Sequence, residues 1–574
     1  MTTRVAAPSF GELFTPKLVT ILRERYRFAD LKADLVAGLT VAIVALPLSM
    51  GIAIASGVTP DRGLYTAVVG GFIVSALGGS RFQIGGPAGA FIVLVASCVD
   101  RFGVDGLVLA ALMSGVMLMT IGFLRLGTFI KYIPYPVTVG FTAGIAIVIF
   151  ASQIKDLLGL TLGVKEPGPI VGKLVVLGTA LTSVNPSAVV LSLVTIGTVF
   201  AIRRFRPLWP SFLIAIVLAS ALATLLHLPV ETVGTRFGGI PQSLPTPHLP
   251  PFSLAMAIAV LPSAVSFALL GCIESLLSAV VADAMTGRRH RSNCELVAQG
   301  VANIASSLFG GICVTGAIAR TATNIRAGAR GPIAGMLHAL FLLLFMLVAA
   351  PLASFIPLAA LAGMLAVVAW NMAEKHAFAT LLRASRGDAV VLLTTFLLTV
   401  FRDLTEGILV GFGIGALLFV HRMAQAIEVD NPMLIAEEDR ADTSSDDGRA
   451  AYDSTVATDR DIVVYRISGA FFFGATASVS AALDRIGQQA KAYVIDFAAV
   501  PVMDSTAAAM IEGFLHRMHR QGASVFLSGA RPAIRHVLLT HGLKPPRVRY
   551  KPSIAVARAE AQKEIAGSRT PSSG

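Results

Sequence analysis

Gly85-Gly86-Pro87-Ala88-Gly89-Ala90 and Thr315-Gly316-Ala317-Ile318-Ala319-Arg320-Thr321 interrupt an otherwise apolar chain. They stand roughly 230 residues apart, and each leads into a helical run too short to cross a bilayer. Residues 88–99 would make about 18 Å of helix at 1.5 Å per residue. That is little more than half of the roughly 30 Å of hydrocarbon. Residues 320–330 are similarly short, and Gly331-Pro332 then breaks them. A half-helix that starts near the midplane leaves its first N–H groups without intrahelical partners. Those donors and the positive end of the helix dipole suit an anion. Gly85 and Gly86 permit an irregular entry and close approach of a ligand, and Pro87 suits the first helical position. Two such N-termini facing each other would hold one small anion between them. The competing reading is a Pro/Gly kink with no ligand.

Composition sets the class. Of 574 residues, 55% are hydrophobic and 14% charged, with a mean hydropathy of +0.75. A soluble protein would carry nearer a quarter charged residues. Apolar runs such as 35–55 and 331–352 are long enough to span a membrane as helix. Roughly fourteen such runs can be counted. Cys98, Cys272, Cys294 and Cys313 stand singly, with no metal-ligand spacing, so neither zinc nor a disulfide framework is expected. No nucleophile–base pair or phosphate loop appears either. The chain reads as no enzyme, with no cofactor.

The net charge is +12, but the basic residues lack the interleaved aromatics of a nucleic-acid surface. They cluster instead in alternate short loops, at Arg125, Arg203-Arg204, Arg288-Arg289 and Arg326 among others. That is the positive-inside asymmetry, and it puts both termini in the cytoplasm. Lys155, Lys165 and Lys173 are the main exceptions.

The expected organisation is an N-terminal arm (1–32), a membrane part (33–425), an acidic linker (426–460), a small α/β domain (461–560) and a disordered tail (561–574). The linker reads from its Asp, Glu, Ser and Thr content. The small domain reads from strands near 462–467, 492–497 and 524–527 alternating with helices at 505–520 and 533–543. Within the membrane part, Ser75-Ala76-Leu77-Gly78-Gly79 precedes the first interruption and Ser306-Ser307-Leu308-Phe309-Gly310-Gly311 the second. Two inverted repeats of about seven spans each follow from that match.

Charged residues inside spans are costly and call for a partner. Arg320 falls at the start of the second half-helix, where a bound anion or a snorkelling route would compensate it. Glu274 is the acid placed most deeply in an apolar run. A buried carboxylate is protonated or finds a cation, so coupling to a proton or to sodium is one reading. A structural Glu274, paired to Arg320 or capped by hydroxyls, is the other. Asp34, nearer a span end, reads as interfacial.

Three segments of the first half carry a resemblance: Gly38-Leu39-Thr40-Val41-Ala42-Ile43-Val44-Ala45-Leu46-Pro47-Leu48, Gly63-Leu64-Tyr65-Thr66-Ala67 and Gly86-Pro87-Ala88-Gly89-Ala90. Ile273-Glu274-Ser275-Leu276-Leu277, Asn293-Cys294-Glu295-Leu296-Val297-Ala298-Gln299-Gly300 and Gly316-Ala317-Ile318-Ala319-Arg320-Thr321 carry it in the second. The chain resembles the SulP (sulfate permease) anion transporters, and its C-terminal domain resembles the STAS domain usually fused to them. The resemblance implies an all-α membrane domain of fourteen segments in two inverted seven-segment repeats, a core moving against a gate, and a cytoplasmic α/β STAS domain. It also implies a dimer. Carried over by position, Pro87, Ala88, Gly89 and Ala90 with Ala317, Ile318, Ala319 and Arg320 line the anion site, and Leu48 and Ser49 face it. Within the family the pattern is most similar to bacterial C4-dicarboxylate (DauA-type) carriers of the inner membrane, whose proton coupling suits Glu274; a sulfate or bicarbonate transporter, or an uncoupled anion channel, is the alternative. A Thr is common where this chain has Ala88, which bears on substrate preference. In STAS domains an Asp-Ser-Ser/Thr-Gly motif can be phosphorylated. Here it reads Asp504-Ser505-Thr506-Ala507, making Ser505 and Thr506 the candidate phosphosite, with helix capping as the alternative.

Overall fold

The structure is a computed structural model. It describes residues 9–128, 134–164, 166–206, 209–402, 404–425, 428–430, 461–476, 479–480, 482–483 and 490–567. Lys165 and most of the expected acidic linker lie outside the described residues. The chain divides into two compact units, Met1–Gly413 and Ile414–Gly574.

Eight helices among the described residues are long and apolar enough to cross a membrane. The first unit runs through α1 (Phe28–Ala55), α2 (Pro60–Tyr65), a wide π turn at Thr66–Gly70, and α3 (Gly71–Leu77). Strand β1 (Gly85–Gly86) follows, then α4 (Gly89–Phe123), α5 (Tyr135–Leu158), α6 (Ile170–Thr179), α7 (Pro186–Phe205) and α8 (Ser211–Leu225). The second half repeats the order. It has α9 (Leu254–Thr286), α10 (Ser292–Leu308), β2 (Thr315–Gly316), α11 (Ile318–Arg326) and α12 (Ile333–Ala353). Then come α13 (Leu358–Met372), the amphipathic α14 (Lys375–Ala384), α15 (Arg386–Phe401) and α16 (Leu404–Gln425), within which the division between the two units falls.

Local chemistry places the ends. Asn185 caps α7 by accepting from the Ser187 N–H, with Pro186 at the first helical position. Ser253 caps α9 through the Met256 N–H. Inside α4, Gly103 has φ +69° and ψ −172°, values that break a helix. The run therefore divides into residues 89–102 and residues 104–123. The first piece is longer than the 88–99 expected, because a single glycine ends it rather than a loop.

The helices pack as two groups. One contains α1, α3, α4, α9, α10, α11 and α12; the other contains α5, α7, α8, α13 and α15. In the first group α4 and α10 cross backbone to backbone. A Cβ added at Gly115 would lie 2.7 Å from the Gly300 carbonyl, and one at Gly300 would lie 2.5 Å from the Gly115 carbonyl. Small residues permit that approach, and close approach is what holds helices together where there is no water to expel. Leu193, Val217 and Val348 face outward and are exposed, as a surface meeting lipid requires.

Two short helices, Phe10–Phe14 and Lys17–Arg23, precede α1. Arg291 donates to the Thr15 carbonyl at 2.8 Å and the Thr20 hydroxyl at 3.0 Å. The Tyr26 hydroxyl donates to Asp34 at 2.6 Å. Burial, and then that carboxylate, push the Tyr26 phenol well above its ordinary range. Asp34 is fully buried and also accepts from the backbone N–H groups of Arg330 and Gly331. The segment joining α11 to α12 supplies these partners, and nothing near Asp34 in sequence announces them.

The second unit is a five-stranded sheet in the order β3 (Glu428–Asp430), β4 (Ile462–Ser468), β5 (Ala492–Asp496), β6 (Ser524–Ser528), β7 (Arg549–Lys551). β3 runs antiparallel to β4, and the remaining pairs are parallel. Alternation along the strands sorts two cores. Tyr465, Ile467, Tyr493, Ile495, Val525 and Leu527 pack against α17 (Ser505–Arg520) and α18 (Pro532–Thr540). Ile462, Val464, Ala492, Val494 and Phe526 pack against Ala557 and Ala561 of α19 (Ile554–Gly567). Two sequence readings change here. Residues 428–430, assigned to the linker, form the edge strand. Residues 561–567, assigned to a disordered tail, belong to α19, because Ala561 covers the second sheet face and Glu564 pairs with Arg549 at 2.6 Å. Residues 568–574 lie outside the described residues.

Candidate functional site

The two interruptions meet. β1 pairs antiparallel with β2, Gly85 opposite Gly316 and Gly86 opposite Thr315. Antiparallel pairing of matched segments is what an inverted repeat produces, since an axis in the membrane plane reverses one strand against the other. The ladder is extended where the Ala317 N–H donates to the Ile84 carbonyl at 2.9 Å.

A helix leaves each strand. Ala88 and Ala317 stand at the N-caps in extended conformation, and neither helix start is capped by a side chain. Their first-turn N–H groups are therefore open to a ligand. Pro87 does not occupy the first helical position. It lies one residue before the cap, and its carbonyl accepts from Arg320 Nη2 at 2.9 Å. The proline fixes the turn into the helix while its carbonyl serves as an acceptor.

Arg320 is 1% exposed. Its Nε and Nη1 have no partner among the described residues, so a buried cation keeps donors unmet beside two open helix starts. Gly86 is required here. Its φ is +153°, and a Cβ would stand 2.3 Å from Arg320 Nη1.

The other polar groups of α11 brace the first crossing. Thr321 Oγ1 accepts from the Ile84 N–H at 3.1 Å and shares a 3.0 Å hydrogen bond with Ser278. Asn324 Nδ2 donates to the Phe82 carbonyl at 2.9 Å. The second crossing is braced from elsewhere. Asn303 both accepts from the Val314 N–H and donates to its carbonyl, at 2.9 and 2.8 Å. Thr66 accepts from the Ile312 N–H at 2.7 Å, and Ser275 bonds Thr315 at 2.9 Å.

Glu274 adjoins Ser275 on α9 and is 6% exposed. It is not paired to Arg320, and no hydroxyl caps it among the described residues. Leu48 is buried in one apolar cluster with Ala88, Ala90 and Phe91. Ser49 is fully buried, and its hydroxyl has no partner among the described residues. A Cβ at Gly89 would meet Ile149 of α5 and Met372 of α13, each at 3.6 Å, so the start of α4 lies at the seam between the two helix groups. Ile318 and Ala319 form the first turn of α11.

Sequence reasoning missed Asn303, Gln83 and His338. His338 and Gln83 are buried, with both polar side-chain atoms of each unpartnered among the described residues. A polar residue inside an apolar run was the available signal for His338. Ser505 and Thr506 are exposed at the start of α17, which Asp504 caps through the Ala507 N–H at 2.9 Å. The four cysteines are free and buried.

Residues 31–395 match the sulfate permease family, and residues 454–554 match the STAS domain. YvdB of Bacillus subtilis strain 168, a candidate sulfate transporter, is 37% identical over 524 residues, covering 90% of this chain and 95% of YvdB. The bicarbonate transporter BicA of a Picosynechococcus strain is 30% identical over 534 residues, covering 90% of this chain and 92% of BicA. Among solved structures, the transmembrane domain of a cyanobacterium bicarbonate transporter BicA is similar, with a TM-score of 0.60 at 34% identity. The match covers 67% of this chain and 98% of that one. The murine Slc26a9 anion transporter aligns over 98% of this chain and 96% of its own, with a TM-score of 0.83 at 20% identity, a likeness of fold.

Proposed function

This chain belongs to the sulfate permease family, and on that premise we propose that it is a secondary carrier of a small inorganic oxyanion, sulfate or bicarbonate. One observation carries the reading. Arg320 is buried with Nε and Nη1 unpartnered, at a crossing where two uncapped helix starts converge. Charge-assisted bonds from a guanidinium and helix-terminal N–H groups are what an oxyanion takes up. Gly86, Pro87, Ala88, Gly89, Ala90, Ala317, Ile318, Ala319 and Arg320 form the site in this reading, with Leu48 and Ser49 as its apolar and hydroxyl wall.

Transport then proceeds by alternating access. The helix group that holds the crossing rocks against α5, α7, α8, α13 and α15, exposing the seam at Gly89 to each side in turn. Glu274 couples the movement to a proton or to sodium, because an unpartnered buried carboxylate must bind one or the other to stay buried. Both termini lie in the cytoplasm of a bacterial cell, and the STAS unit is regulatory. Phosphate on Ser505 or Thr506 would gain from the start of α17 but oppose the Asp504 carboxylate.

A C4-dicarboxylate, favoured by motif resemblance, takes second place. The relatives compared bear the names of sulfate and bicarbonate transporters. Uptake into proteoliposomes tests the order. Unlabelled sulfate or bicarbonate should suppress uptake of the labelled anion, and succinate should not; stronger competition by succinate reverses the assignment. Glu274→Gln should abolish cation-driven accumulation while anion exchange across the membrane persists.

A further inference from the structure

A cavity of about 640 Å³ opens beside the first piece of α4. Ile92, Val93, Ala96, Ser97, Asp100 and Arg101 line it. That spacing is one face of a helix, so the cavity follows the half-helix for about 14 Å. One end begins three residues beyond Gly89, and the other reaches Arg101. Ile54 and Ala55, the last residues of α1, also line it. It therefore opens on the membrane face opposite to the start of α1.

The charges in its wall are unbalanced. Arg101, Lys155, Lys173, Arg236 and Arg402 outnumber Asp100, Asp156 and Glu166. Lys173 is taken up by Glu166 at 3.0 Å and the Ser152 hydroxyl at 2.8 Å, and Arg236 by Asp156 at 3.3 Å. Lys155 and Arg101 make no ion pair among the described residues. Lys155 and Lys173 are two of the lysines that break the loop charge bias. Lysines on that side oppose the insertion rule, and an anion to be attracted is a reason for them to be there.

We infer that this cavity is the vestibule by which the anion enters from that face, and that Lys155 and Arg101 form a second, weak oxyanion-capture site within it. Walls of low dielectric focus the field of these cations along the half-helix and raise the local anion concentration. The inference rests on the carrier reading above and adds a site that acts before the anion reaches Arg320.

The test uses the full chain with Lys155→Cys, reacted in detergent before reconstitution, since all four native cysteines are buried. At low ionic strength the KM for labelled sulfate or bicarbonate should rise about three- to tenfold, with kcat unchanged. A trimethylammonium thiosulfonate should restore the KM, and a sulfonate thiosulfonate should raise it further. Both effects should shrink at about 1 M salt, where the screening length is roughly 3 Å. Lys155→Arg should retain the wild-type KM. A KM indifferent to the sign of the attached charge, with uptake intact, overturns the vestibule site alone. Absence of sulfate and bicarbonate uptake in the wild type overturns the carrier reading and this inference with it.

Discussion

The helix of residues 89–102 and α11 begin alike and are built differently. Each follows a two-residue strand, each has an alanine at its cap, and neither cap is a side chain. Yet the first carries no charge until Asp100, whereas α11 reads Ile318-Ala319-Arg320-Thr321-Ala322-Thr323-Asn324-Ile325-Arg326. Arg320, Thr321 and Asn324 reach back to Pro87, Ile84 and Phe82 and hold the first crossing in place. The second crossing owes its position to Asn303, Thr66 and Ser275. A repeat related by symmetry has thus divided two tasks. Both halves offer backbone dipoles and bracing side chains, but the buried charge comes from one half alone.

The strongest way to break this comparison is Arg320→Gln. If the charge belongs to α11 alone, uptake should fall about 10- to 100-fold, the worth of a charged hydrogen bond. Uptake at the wild-type KM would show that the two dipoles suffice. A second contrast sets Gly86→Ala against Gly89→Ala. The first forces an alanine to φ +153° and into Arg320 Nη1, at a cost of about 1–3 kcal/mol in backbone strain alone. It should lower the unfolding temperature in detergent. At Gly89 the new methyl meets only ordinary contacts at 3.6 Å. That variant should unfold like the wild type and show its effect as a raised KM. The smallest effect is expected from Ala88→Ser, which adds a hydroxyl at the first cap. One hydrogen bond of about 0.5–1.5 kcal/mol should change the ratio of sulfate to bicarbonate uptake by about two- to tenfold.

Much of the site was legible, but not its wiring. The interruptions, the shortness of the runs after them and the buried position of Arg320 follow from local spacing and hydropathy. Pro87 was misplaced by two positions, because proline statistics favour the first helical residue and say nothing of a guanidinium 233 residues away that takes its carbonyl. The burial of Asp34 was not legible because its partners at Arg330 and Gly331 are nearly 300 residues off. The tail at 561–567 looked disordered because its alanines and charges reveal no core until a sheet face is there to be covered.

The order of the spans, the two half-length helices and the alternating strands of the C-terminal unit were determined by the sequence alone. Period, run length and breaker residues are local properties, and they act before any long-range contact forms. The tertiary structure decided that Gly85 lies opposite Gly316, that Arg320 keeps two donors unmet, and that Lys155 faces a cavity along the first half-helix. Each of these depends on segments far apart in the chain reaching the same place, where burial makes an unpaired polar group costly and so gives it meaning.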